Sequence, residues 1–396
     1  MAGPCPNPAK LASALAIIGC GFLSACGGGS PEASSELSAA AQLGEKIFHD
    51  TSLSASGQMA CATCHDPAFG HASPFNTPVA LGGPALDQPG VRNPPTLRYL
   101  RFNGAFGFDE EGTPTGGFDW DGRASSLADQ ARRPFLSANE MANADVASVV
   151  SKLAAAQYAA EFRQVFGSGI FSDPQTAFDR VVFALERYQV EDPDFAPFSS
   201  KFDLFIAGKA SFTDQELRGL ALFNRADKGN CAACHPSTRP ANAPAALFTD
   251  FTYDGLGVPR NMDIPANADP GFFDMGLCGP MRQDLAARGD LCGAFKVPSL
   301  RNVGLRRHFF HNGRFDSLEE VIRFYVMRDT NPELWYPPAS LADPLPYDDL
   351  PIDLRSNVNT SEGPYNRQPG QAPALTGSEI DDLAAFLRTL SDGYAQ

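Results

Sequence analysis

Two pentapeptides constrain this chain more than anything else in it: Cys61-Ala62-Thr63-Cys64-His65 and Cys231-Ala232-Ala233-Cys234-His235. Each reads C-x-x-C-H, the attachment signature of a c-type haem. The spacing has a physical reason. Two thiols three positions apart on a helical turn both reach the haem vinyl groups and form thioethers, and the imidazole of the next residue points at the iron. With 9 Cys and 6 His in 396 residues, a shuffled chain would hold such a pentapeptide only roughly 0.003 times, so two are no accident. Paired C-x-x-C motifs also build zinc sites, but zinc would not require a His directly after each pair. The reading is two covalent haem c groups, one on Cys61, Cys64 and His65, the other on Cys231, Cys234 and His235.

The two motifs lie far apart, and the length suits about two domains. Hydrophobic residues make up 43% of the chain, enough for ordinary cores, and the formal charge is −15. Such an acidic chain is a poor binder of nucleic acid and attracts a cationic partner such as a small basic redox protein.

Residues 1–25 read as an export signal. Lys10 is the only charge before Glu32, and an apolar run from Leu11 to Leu23 is too short for a stable membrane span, which takes about 20 residues. The run ends in Leu23-Ser24-Ala25-Cys26, which resembles a bacterial lipobox with Cys26 as the lipidated first residue. Residues 26–36, rich in Gly, Ser and Pro, follow as a flexible tether. Removing the leader takes away one positive charge, leaving −15 − 1 = −16. The expected location is the periplasmic side of a bacterial membrane, anchored by lipid alone. Cys278 and Cys292 then remain, and an oxidising compartment favours their pairing as a disulfide.

Periodicity predicts mostly helix and few strands. Helices are expected over 38–48, 126–133, 144–165 (one or two), 176–190, 213–223, 317–327 and from 376 onward. On the fourth, Phe178, Val181, Val182 and Leu185 share one face. Residues 192–197 mark a boundary between an N-terminal half, 37–197, and a C-terminal half, 198–396. Residues 66–90 and 236–291 read as loops, and 331–375 as a long surface excursion.

The halves repeat each other. Gly44-x-x-Ile47-Phe48 precedes the first haem motif and Gly219-x-x-Leu222-Phe223 the second. Pro95-Thr96-Leu97-Arg98 is echoed by Pro298-Ser299-Leu300-Arg301, and Trp120-Asp121-Gly122-Arg123 by His311-Asn312-Gly313-Arg314. The class is therefore mostly α, two cytochrome c-like domains related by duplication. The repeat exposes an asymmetry. Seven residues past Leu318 lies Tyr325, and seven past Leu127 lies Pro134. Tyrosine can ligate ferric iron and proline cannot ligate anything, so the second haem would be closed and the first open to peroxide. Met327 is the alternative ligand; helical spacing puts it on a different face from Tyr325, so only one of them serves.

These motifs, together with Ser52-Leu53-Ser54, Arg92-Asn93-x-Pro95-Thr96, Gln130, Glu140-Met141 and Phe295-Lys296-Val297-Pro298, resemble the bacterial di-haem cytochrome c peroxidase and MauG superfamily over nearly the whole mature chain. The resemblance implies that His65 is the proximal ligand of a peroxidatic haem, with Gln130 and Glu140 in its distal pocket. It implies that Trp120 couples two haems and that Tyr325 matches the distal ligand position of the second, as in MauG-like members; typical peroxidases have Met there. Typical members also carry a loop histidine that blocks the resting iron. The matching position is Ala85, and His71 reads as an ordinary loop histidine. The family often holds Ca²⁺ through Asn93 and main-chain carbonyls near Arg306 and His308, and dimers are common in it.

The expected function is reduction of hydrogen peroxide at the first haem, with electrons from a small cytochrome c or cupredoxin passing through the second. A MauG-like oxidation of residues on a partner protein is the rival enzyme reading, and a non-catalytic di-haem electron carrier is the third.

Overall fold

The computed structural model describes residues 36–336 and 346–395; the leader, Cys26 and all of the tether but Glu36 lie outside them. Ten α-helices occur among the described residues: α1 (Ala39–His49), α2 (Cys61–Cys64), α3 (Leu127–Arg132), α4 (Val146–Ala155), α5 (Ala159–Phe166), α6 (Pro174–Glu191), α7 (Lys201–Ile206), α8 (Asp214–Phe223), α9 (Leu318–Met327) and α10 (Gly377–Arg388). Six of them begin at a hydroxyl cap. Ser38, Ser126, Ser200, Thr213, Ser317 and Thr376 each accept a hydrogen bond from a first-turn N–H, and Asp203, Glu216 and Glu379 complete capping boxes. Helix α7 was not expected from the sequence. Sheet is confined to three two-stranded antiparallel ribbons: 81–82 with 88–89, 107–108 with 114–115, and 253–254 with 295–296.

Apolar side chains collect in two main cores. One draws on residues between Leu43 and Phe195, the other on residues between Phe202 and Leu390. In the first, α1 lies on α6, whose Phe178, Val181, Val182 and Leu185 are buried. In the second, α8 lies on α10. The repeated glycines explain both contacts. A Cβ on Gly44 would sit 2.0 Å from the carbonyl oxygen of Ala184, and one on Gly219 would sit 2.1 Å from that of Asp382. Only glycine lets these backbones approach so closely. Both cores belong to one compact unit that begins at Leu37.

The stretch 331–375 departs from expectation. Tyr336, Leu350, Val358, Tyr365 and Leu375 in it are buried, so sparse apolar anchors tie down a segment that has no periodic pattern. Residues 337–345 fall outside the described set. Cys278 and Cys292 are joined as a disulfide. No helix among the described residues is long and apolar enough to cross a membrane.

Replacing either glycine with a branched side chain should force the paired helices apart. Gly44→Val and Gly219→Val are each expected to cost about 1–3 kcal/mol or more, read as a lower denaturant midpoint at unchanged slope. An unaltered midpoint would contradict the close approach.

Candidate active site

Helix α2 is a single turn that carries Cys61 and Cys64, and the chain keeps turning so that the His65 N–H reaches the carbonyl of Cys61 at 2.9 Å. The second motif forms a tighter 3₁₀ turn, Cys231–Ala233, with the His235 N–H again on the carbonyl of Cys231 at 2.9 Å. Each imidazole is then oriented from behind. His65 Nδ1 faces the carbonyl oxygens of Pro95 at 3.0 Å and His71 at 3.3 Å, and His235 Nδ1 faces that of Phe248 at 2.9 Å. Carbonyls only accept, so Nδ1 carries the proton in both rings and Nε2 keeps its lone pair. Burial lowers both imidazoles, His65 to about 4, and so keeps them neutral.

The repeated tetrapeptides hold those carbonyls in place by matching hydrogen bonds. Thr96 Oγ1 donates to the Gly70 carbonyl and Ser299 Oγ to that of Leu247, both at 2.6 Å. The N–H of Arg98 donates back to Thr96 and that of Arg301 to Ser299. Leu97 N–H reaches the His71 carbonyl and Leu300 N–H that of Phe248.

Two clefts open in front of the histidines. The first has about 1290 Å³ of free space, counted with its open mouth, and is lined by Cys61, Cys64, His65, Gln130, Pro134 and Glu140. The second has about 1920 Å³, counted the same way, and is lined by Cys231, Cys234, His235, Tyr325, Tyr365 and Arg306. Trp120 stands in the wall of both. Its indole N–H donates to the carbonyl of Asn93 at 2.8 Å, which fixes the ring plane.

The residues present fit a haem in each cleft. The walls are mainly apolar, two thiols and an imidazole lone pair converge, and burial pushes all four thiols up to about 12, leaving neutral sulfur rather than charged thiolate. In the second cleft, the Arg306 guanidinium has no carboxylate partner among the described residues. It suits the acidic edge of such a group.

Pro134, which offers no ligand atom, lines the same cleft as His65, and so do Glu140, Gln130, Asp119 and Arg123. Burial raises the Glu140 carboxyl, a hydrogen bond from Ser137 opposes this, and the charge of Asp119 adds to it. Asp119 is itself raised by burial against Arg123 and Arg133. Burial also pushes Asp121 up, but Arg92 and Arg123 outweigh it and hold it below the usual carboxylate range. Tyr325 lines the same cleft as His235, and Met327 does not. His71 lies outside both walls. It is buried, stacked on Phe195 at 4.1 Å between centroids, with Nε2 2.7 Å from Asp194. Ala85 is exposed.

Sequence reasoning missed Asp119, Arg123, Tyr365 and Lys296 as wall residues. Asp119 and Arg123 flank the Trp-Asp-Gly motif, which was a usable signal. Tyr365 had none, since it comes from the segment read as a surface excursion.

The described residues contain no cluster of three or more His, Cys, Asp or Glu side chains able to hold a metal. Asn93 is fully buried, with Nδ2 2.9 Å from the His308 carbonyl and 3.5 Å from that of Phe310, and its Oδ1 has no partner. The Arg306 side chain, not its carbonyl, enters this contact, with Nε 3.3 Å from the His308 oxygen.

Comparison with known proteins agrees. The family described as di-haem cytochrome c peroxidase matches residues 38–211. Methylamine utilization protein MauG of Paracoccus denitrificans is 36% identical over 362 residues, covering 89% of this chain and 89% of that protein. Cytochrome c551 peroxidase of Nitrosomonas europaea is 30% identical, covering 71% of each chain. The crystal structure of the diheme peroxidase BthA from Burkholderia thailandensis superposes with a TM-score of 0.82 at 39% identity, covering 89% of this chain and 86% of that one. Relatedness over most of the chain's length, with the shared fold, makes it a member of the di-haem cytochrome c peroxidase and MauG family of oxidoreductases acting on peroxide.

Proposed function

We propose that this protein reduces hydrogen peroxide in the His65 cleft and draws the electrons through the His235 cleft. The observation that carries the reading is the asymmetry of the two clefts, with Pro134, Glu140 and Gln130 lining the one that holds His65 and Tyr325 the one that holds His235. The domains are 37–197 and 198–396, duplicated and cytochrome c-like, each holding one covalent haem through its two cysteines. When bound, haem iron supplies a site for the peroxide oxygen and for electrons. The chain supplies the rest. Glu140 would accept a proton from one peroxide oxygen and return it to the other, which would leave as water. Two electrons and two protons are consumed for two waters released. Gln130 holds the peroxide by hydrogen bonding. A carboxyl raised toward neutrality suits a group that must accept and then give a proton. Trp120, in both walls, is the contact between clefts.

Tyr325 favours a second reading. If Tyr325 held the second haem, it would favour ferric and higher oxidation states, which would suit oxidation of residues on a partner protein. The third reading, a pure electron carrier, leaves Glu140 and Gln130 without a task. A small cytochrome c or cupredoxin as donor fits the acidic charge. The lipid anchor on Cys26 with periplasmic location, and a homodimer, belong to the same proposal.

Calcium at Asn93 is supported by the unpartnered Oδ1. Turning the amide by half a turn would bring the oxygens of Asn93, His308 and Phe310 together, an arrangement that suits a cation. Chelation of the purified protein should release about one calcium per chain, measured by atomic emission; metal-free protein at the outset would refute the site.

One equivalent of peroxide added to the fully ferric protein without donor should remove a high-spin ferric EPR signal at once and leave a long-lived oxidised species. No reaction until one haem is reduced would mean a blocked first site and a conventional peroxidase cycle. If the half-reduced protein also ignores peroxide, the carrier reading stands. Glu140→Gln should slow the peroxide reaction by about 10²–10⁴-fold in stopped flow.

The same substitution has a sign-specific effect on stability. A carboxyl raised in the folded state costs stability above its unfolded pKa, and the cost vanishes when pH falls below that value. Glu140→Gln should therefore raise Tm at pH 8 and leave it unchanged near pH 4.

A further inference from the structure

The internal repeat aligns Asn93 with Lys296, because Pro95 aligns with Pro298, and aligns Trp120 with His311. The hydrogen bonds obey the same alignment but cross between the halves. The Asn93 N–H donates to the His311 carbonyl at 2.7 Å, and the Lys296 N–H donates to the Trp120 carbonyl at 2.9 Å. Asn93 directs its side chain at the carbonyl of His308. Lys296 directs its Nζ at the carbonyl of Gly117, the aligned residue, and at that of Gly116, 2.5 Å away. Each half thus reaches across to grip the strap of the other, 307–311 in one case and 116–120 in the other.

The two grips differ in what sits among the carbonyls. At Asn93 there is an amide with an orphaned oxygen. At Lys296 there is a buried amine, 9% exposed, over the face of Tyr253 at 4.9 Å. Two carbonyl oxygens and an aromatic face are cation acceptors. Gly116 and Gly117 both have positive φ, +74° and +71°. A Cβ on either would strike backbone oxygen, Ala105 at 2.3 Å or Gly122 at 2.5 Å, so this turn needs glycine. Burial pushes the Lys296 ammonium down to about 7 and the charges of Asp119 and Asp121 hold it up.

We propose that Lys296 is a built-in cation, its ammonium filling in the N-terminal strap the place that a free metal ion takes in the C-terminal one, and that it thereby positions Trp120 between the clefts without metal. The comparison rests on the calcium reading at Asn93; the role of the lysine does not. Lys296 is a positioning residue, since it acts through the strap that carries Asp119 and Trp120.

Hydrogen–deuterium exchange of the holoprotein reads each strap. In Lys296→Met, exchange over 116–120 is expected to rise by about tenfold or more while 307–311 stays at the wild-type rate. Lys296→Asn should loosen 116–120 equally in chelator. Added calcium should then restore the wild-type rate and raise bound calcium by about one ion per chain. A purely structural lysine would give no such rescue. In wild type, chelation should loosen 307–311 and spare 116–120. The proposal falls if Lys296→Met exchanges like wild type over 116–120, or if Lys296→Asn gains neither calcium nor protection. Should neither variant fold, it falls if chelation of wild type loosens both straps alike. Chelation that changes nothing over 307–311 sinks the calcium reading instead, and Lys296→Met still decides the lysine.

Discussion

Everything in this structure depends on a hydrogen bond made behind each histidine ring. A neutral imidazole has one donor and one acceptor nitrogen. Giving the donor to a buried backbone carbonyl, Pro95 in one half and Phe248 in the other, leaves the acceptor facing a cleft. Those carbonyls must be held still. The Pro-Thr/Ser-Leu-Arg turns do so with a hydroxyl to a carbonyl on one side and an N–H returned on the other. The arginines that end these turns are buried against Asp194 and Asp203. Local sequence, turn geometry and charge pairing thus converge on the orientation of two rings.

The halves are built alike and then locked by crossing over. The straps that end in Trp120 and His311 are each hydrogen-bonded to the opposite half through Lys296 and Asn93. Arg92 adds a buried link, donating to Asp121 in its own half and to Asp274 in the other. Buried ion pairs of this kind add little net stability but penalise any arrangement that separates the partners. The consequence for function is geometric, because the tryptophan shared by both clefts is held from both sides.

Differences at a few matching positions of the sequence repeat are enough to give the two clefts different linings. Pro134 lies just past the short α3, whereas Tyr325, its counterpart in the sequence repeat, lies within the longer α9. Asp119 lines both clefts, whereas Glu140 and Arg123 line only the first.

Much was legible in the sequence because it depended on local rules. The haem signatures, the starts of α1, α3, α8, α9 and α10, the amphipathic face of α6 and the repeat itself are short-range patterns. The glycines of the repeat could be seen but not explained; their reason is a neighbouring backbone oxygen 2.0–2.1 Å from where a Cβ would stand. Tertiary structure alone brought Tyr365 out of an aperiodic segment into the second wall, set His71 behind Phe195 and Asp194 away from the first cleft, and carried the side chain of Lys296 to carbonyls of the other half. Periodicity records which face of a helix is apolar. It carries no information on which distant backbone oxygen a buried amine or amide will find, since that is decided only when the two halves close on each other and every buried donor must be satisfied.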